Sequence, residues 1–394
     1  MAKHINGINP DILKWARERS GYTVEAIAAF LKKGVSIIND WESGERAPTY
    51  IQLEKLADKY KRPIAIFFFP EPPEEPNIIE NLALRSSDNT PLEPRIHILL
   101  RQAYARQFSL MELNMGKNPA EMKIFRDLQA RPNDSAMALA QQARAYLNVD
   151  VTTQTSWNTT VKAFENWRDR VEEAGVFVFK EAFQDDSVDG FCLRHDEFPV
   201  IYLNNSRPSV RQIFSLFHEL AHLLIGQNGL IQSNIFHGGI FRGGTIQAIE
   251  DFCDQFAGEF LVPSNDFENR LNFFTNYNDK TIEELAHYYK VSRPVILLKL
   301  VKKGILTREN YWQRINQWVE EYKYQIQGKT GRKTSSGGSY YNTRATYLGY
   351  RFMELAFGKY RDGHCSVEQL AEHLNVKVKH LPQLEDCLLR KALR

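Results

Sequence analysis

SLFHELAHLLIG, residues 215–226, sets two histidines and one glutamate inside an otherwise almost wholly apolar run. Side chains four apart on a helix project from one face a turn apart, so His218 and His222 can aim two imidazole nitrogens at one ion. Glu219 falls about 100° round the helix from His218, within reach of a water on that ion rather than of the ion itself. A water made acidic by zinc, giving its proton to that carboxylate and attacking a peptide carbonyl, is metal-assisted hydrolysis. The same letters also describe a core helix that carries two imidazoles, and the bare pattern arises by chance. A catalytic zinc needs a third protein ligand. IEDFCDQFAGEFLVP, residues 249–263, offers Glu250 at the start of a helix on which Phe252, Phe256, Phe260 and Leu261 form an apolar stripe. An ordinary solvated first-turn carboxylate is the other reading of Glu250.

The chain around this run has 394 residues, enough for two or three compact units, with the 43% hydrophobic and 25% charged content of an ordinary globular protein. A net charge of +2, left over from 50 basic and 48 acidic side chains, provides no bulk pull toward nucleic acid or membrane, so any such partner must be met locally. MAKHINGINP at the start lacks the apolar core of a secretion signal, and no stretch approaches the roughly 20 apolar residues that span a bilayer. A cytoplasmic location and no membrane partner are therefore expected. Cys192, Cys253, Cys365 and Cys387 are scattered with no CxxC pair, which argues against a disulfide framework and a thiolate zinc site; they read as small buried hydrophobes.

Helical spacing recurs in DILKWARERS, TVEAIAAFL, SIINDWE and YIQLEKLADKY, predicting a five-helix module over residues 1–70. Prolines at 70, 72, 73 and 76 forbid regular helix and mark a linker over 71–93. Residues 94–327 read as a second domain with a helical lead-in and a helical tail. Within it GVFVFKEAF and GFCLRHDEFPVIYLNN carry strand bias and are joined by the turn-forming DDSVDG, which predicts a small sheet just before the histidine helix. Free backbone groups on FPVIYLNN would hold an extended substrate, as edge strands do, if it lies at an edge. GKTGRKTSSGGS predicts a flexible basic linker over 328–339, and 340–394 a helical segment of two or three helices, either a partner-binding arm or a structural appendage. The fold class expected is α+β, mainly helical.

HELAHLL followed by IEDFCDQFAGEFLVP resembles the ImmA/IrrE family of zinc metallopeptidases, whose second motif reads approximately E-x-x-A-N-x-F-A-x-x-[LF]-[LM]-P. Cys253 stands where the pattern has Ala, and Asp254 where it has Asn. AYLNVD, AFENWRDRVEEAGVFVF and FPVIYLNNS are also similar, so the resemblance covers roughly residues 140–320. It implies a zincin-like endopeptidase domain holding Zn2+ on His218, His222 and Glu250, with Glu219 as general base. For the oxyanion stabiliser, His237, Arg242, His287 and Tyr288 are chemically able, and nothing selects among them.

TVEAIAAFLKKGVSIINDWESGERAPTYIQLEKLADKY, residues 23–60, resembles the XRE family of helix-turn-helix domains through Thr23, Ala28, Trp41, Glu42, Gly44, Pro48, Thr49, Leu53 and Ala57, with a shifted register at KKGVS. In such units the second helix enters the major groove, which maps Val35, Ser36, Asn39 and Asp40 toward base edges. Ser36 and Asn39 are the useful readers, and Lys32, Lys33 and Arg46 can neutralise phosphates. Residues 1–69 hold 11 basic and 8 acidic side chains, a mild excess of three positive charges. The module then binds operator DNA, or it is a dimerising or protein-binding relic. Together the resemblances imply a transcriptional regulator whose substrate is a repressor of the helix-turn-helix class, cut in stress or mobile-element control. The other reading is a toxin-antitoxin function: an antitoxin that binds a PIN-like ribonuclease toxin and its own operator, with little proteolysis. Either form can be a homodimer.

Overall fold

A computed structural model describes residues 7–75, 92–232, 245–329 and 339–392. Most of the expected linkers at 71–93 and 328–339 lies outside the described residues, as do His237 and Arg242. The chain divides into two compact units, 1–105 with 183–185, and 106–182 with 186–394. The division falls inside the helix Pro94–Leu113. Among the described residues no helix is long and apolar enough to cross a membrane.

In the first unit the helices Pro10–Arg19, Val24–Leu31, Val35–Ser43 and Tyr50–Tyr60 are followed by a 3-10 turn, Ile64–Phe68, which is the fifth expected helix. The sequence punctuates each one. The Thr23 hydroxyl accepts from the Ala26 amide, and Thr49 and Gln52 form a reciprocal capping box. Gly44 ends the third helix at φ 83°, a left-handed position that costs other residues strain. Ile12, Ala16, Ile27, Ile38, Trp41 and Leu53 meet in one core. Glu42 accepts from Arg17 at 2.7 and 2.9 Å, and this bond raises the Arg17 pKa, tying the first helix to the third.

The second unit is built on a four-stranded sheet: β1 (Phe177–Glu181), β2 (Val188–Leu193), β3 (Val200–Asn204) and β4 (Gly229–Gln232). The order is β1-β3-β2-β4, with β1 parallel to β3 and β2 antiparallel to both β3 and β4. Two sequence expectations are corrected here. DDSVDG supplies a turn at 186–187 between β1 and β2, but its last three residues belong to β2, where Asp189 is 3% exposed and paired with Arg207 at 2.7 Å and Arg211 at 2.5 Å. FPVIYLNN is no edge, because β3 lies between β1 and β2 and its ladder is filled on both sides. Among the described residues the edge near the histidines is β4.

Strand alternation divides the sheet's two faces. Val178, Cys192, Ile201 and Leu203 join the core around the helix Ser209–Leu224, whose residues 212–224 are all buried. That helix packs between the sheet and the helices Thr160–Glu173 and Thr245–Leu261, with Trp167 edge-on to Phe217 at 4.9 Å and Phe217 stacked on Phe260 at 3.9 Å. On the opposite face Phe191 stacks on Tyr202 at 5.1 Å, and Phe179 meets Phe352 at 5.3 Å. Phe352 belongs to the C-terminal segment, which forms the four helices Tyr340–Leu348, Tyr350–Arg361, Val367–Leu374 and Leu381–Ala392, more than the two or three expected. Arg168, inside a buried pair with Glu172, donates to the Thr346 carbonyl at 2.7 Å. The segment is thus part of the packing of this unit.

Candidate metal centre and nucleic-acid interface

His218 and His222 lie one turn apart on the Ser209–Leu224 helix, both 0% exposed, with their Nε2 atoms 3.1 Å apart. From the helix Thr245–Leu261, Glu250 reaches the pair: its Oε2 is 3.2 Å from His218 Nε2 and its Oε1 3.0 Å from His222 Nε2. Four residues on, Asp254 Oδ1 lies 2.9 Å from His218 Nδ1. With Asp254 accepting the Nδ1 proton, the His218 Nε2 lone pair is left facing the other two donors, the arrangement by which a carboxylate fixes the tautomer of a metal-binding imidazole.

This donor set fits zinc. At nitrogen and oxygen bond lengths of about 2.0–2.1 Å, neighbouring corners of a tetrahedron stand about 3.3 Å apart. The imidazole nitrogens stand 3.1 Å apart, close to such an edge, and each has a different oxygen of Glu250 beside it, at 3.0 and 3.2 Å. Two neutral imidazoles and one carboxylate are also a borderline donor set that suits this ion.

Glu219 is 0% exposed and sits against β2 and β4. Beside it is Cys192, whose thiol is pushed well above its usual range by burial and further by the Glu219 carboxylate. The Gly229 amide donates to Cys192 Sγ at 3.2 Å. A Cβ at Gly229 would lie 2.5 Å from both Glu219 Oε2 and His222 Cδ2, so the strand approaches this site more closely than any other residue allows. Cys253 is buried as well, and its sulfur lies with donor atoms of His218 and His222 in a group whose members are all within 4.8 Å of one another. Asp254, Cys192, Gly229 and Cys253 were not among the sequence candidates. Reading the cysteines as packing residues overlooked two that border the site, and only the helical spacing of Cys253 and Asp254 from Glu250 could have signalled their place. A cleft of about 330 Å³ opens beside Asp254, lined also by Phe214, Leu298, Lys302 and Tyr311. Of the oxyanion candidates within the described residues, His287 is exposed and Tyr288 lies under the Arg270 guanidinium, 3.5 Å from the ring centre.

In the first unit, Lys32, Lys33, Ser36, Asn39 and Arg46 are all exposed. Ser36 and Asn39 share the outer face of the helix Val35–Ser43, while Ile38 and Trp41 turn into the core. Arg46 and Asp40 pair at 3.3 Å, so the acid among the positions mapped toward base edges is partly neutralised by a residue expected to meet phosphate.

The family model for the IrrE N-terminal-like domain matches residues 171–301, and a helix-turn-helix model matches residues 13–67. The chain is an XRE-type helix-turn-helix region fused to an ImmA/IrrE-like peptidase-family domain. No curated protein matches it. The 171–301 match in this fusion protein holds the whole sheet, both site helices and every residue of the centre, and stops before the C-terminal cover. The shorter match runs from within the first helix into the 3-10 turn.

Proposed function

We propose that the protein is a zinc-dependent endopeptidase and DNA-binding transcriptional regulator whose substrate is a repressor of the helix-turn-helix class. The observation that carries the peptidase half is the convergence of His218, His222 and Glu250 at 3.0–3.2 Å beside the buried Glu219. When bound, zinc polarises the scissile carbonyl and acidifies the attacking water. His218, His222 and Glu250 would hold the ion, and Asp254 keeps His218 in the tautomer that can bind it. Glu219 accepts the water's proton at its carboxylate and passes it to the departing amide nitrogen. Among the described residues β4 pairs with β2 alone, and its other side would take an extended substrate. The cleft beside Asp254 offers room for a substrate side chain.

Metal analysis should find one zinc per chain, and Glu250→Ala should weaken zinc more than about tenfold in competition with a chelator. Unchanged affinity in that variant removes Glu250 from the ligand set. For DNA, Ser36 and Asn39 face outward where base edges would lie, with Lys32 and Lys33 flanking them. Binding to the chain's own upstream region should weaken steeply with salt, and Lys32→Ala with Lys33→Ala should lower the log–log salt slope by about two, roughly one per phosphate contact. An unaltered slope takes both lysines off the backbone, and no binding at low salt favours protein recognition by this module.

A further inference from the structure

We propose that Cys253 is a fourth protein ligand of the metal centre and closes it in the resting chain. This rests on the metal reading above and goes beyond it by assigning the position that a hydrolytic zinc site leaves open. Glu250, Cys253 and Asp254 stand at i, i+3 and i+4 of one helix, so all three project toward the two histidines. Glu250 meets both Nε2 atoms, and Asp254 holds His218 Nδ1. The Cys253 sulfur falls in the same group, within 4.8 Å of the imidazole donors, and the residue is 0% exposed. A zinc–thiolate bond of about 2.3 Å places sulfur about 3.5 Å from a neighbouring nitrogen donor, so ligation draws the Cys253 sulfur in from within the 4.8 Å that bounds its group with the histidines.

Ligation by Cys253 would be as thiolate, its proton released to solvent. With four protein donors in place no position remains for a water, so Glu219 has no proton to accept until the sulfur withdraws. The centre is then a latent one, and its opening is a step separate from substrate binding.

Cobalt(II) substituted into the full-length chain tests this without any activity measurement. Tetrahedral cobalt gives visible ligand-field bands whatever its donors, and a thiolate ligand adds an intense near-ultraviolet charge-transfer band. The wild-type chain should show both, Cys253→Ala should keep the visible bands and lose the near-ultraviolet one, and Cys192→Ala should keep both. Zinc affinity should fall more than about tenfold in Cys253→Ala. Visible bands alone in the wild type, a charge-transfer band that survives Cys253→Ala, or one lost in Cys192→Ala overturns the assignment while leaving the His218–His222–Glu250 centre standing. Failure of the wild type to bind either ion overturns both.

Discussion

Glu219→Gln is expected to keep its zinc and lose peptide hydrolysis by about 10²–10⁴-fold, the usual contribution of a positioned general base. The substitution preserves shape, which matters because Glu219 is 0% exposed and closely approached by β4 and Cys192. A glutamine amide still fills that space, but it cannot take up a proton. The ligands lie elsewhere: His218 is one residue away but turned about 100° round the helix, and Glu250 comes from another helix. Metal content is therefore the control and cleavage of a helix-turn-helix repressor is the readout. If Cys253 closes the resting centre, the comparison should be repeated in a Cys253→Ala background, where basal hydrolysis is higher and the loss on Glu219→Gln is as large. Full hydrolysis in the Gln variant would remove Glu219 from the chemistry. A wild type that binds zinc and its operator but cleaves nothing in either background would instead support the antitoxin reading.

How much of this is legible in the sequence varies with the range of the contact. His218 and His222 are set by the period of a single helix, so their common face is readable from the letters alone. Glu250 is not, since nothing local distinguishes a ligand from a first-turn acid, and it took a family resemblance to select it. Cys192 and Gly229 reach Glu219 only because β2 and β4 pair across a sheet whose strand order is not sequential. Asp189 looks like a turn residue by composition, yet two arginines from the following segment pair with it and allow it to be buried in a strand. The helix-turn-helix region shows the reverse situation. Thr23 and Thr49 cap helices, Trp41 and Leu53 fill the core, Gly44 ends a helix at positive φ and Glu42 pairs with Arg17. Every one of these motif positions has a structural role, so the motif identifies the fold while the proposed base and phosphate contacts, Ser36, Asn39 and the lysines, have to be argued separately from exposure.

Gly229→Ala is expected to damage the centre and the fold together. The added methyl would stand 2.5 Å from Glu219 Oε2 and from His222 Cδ2, inside any real carbon contact. Neither neighbour can give way cheaply, because both side chains are 0% exposed and lie on a helix buried on all sides. The strand must therefore move off β2, or His222 must rotate away from Glu250. Overpacking of this kind costs about 1–3 kcal/mol, and the displaced imidazole should also weaken zinc. Gly258→Ala is the matched control, since a Cβ there meets nothing within 4 Å and the residue is in the same helix as Glu250. Alanine at an open helical glycine should stabilise by up to about 1 kcal/mol and leave zinc affinity unchanged. Denaturant unfolding of the metal-free chains gives the first comparison and chelator competition the second. Equal stability and equal zinc affinity for Gly229→Ala and wild type would mean that β4 does not press on the centre, and would remove the argument that its edge delivers a substrate to Glu219.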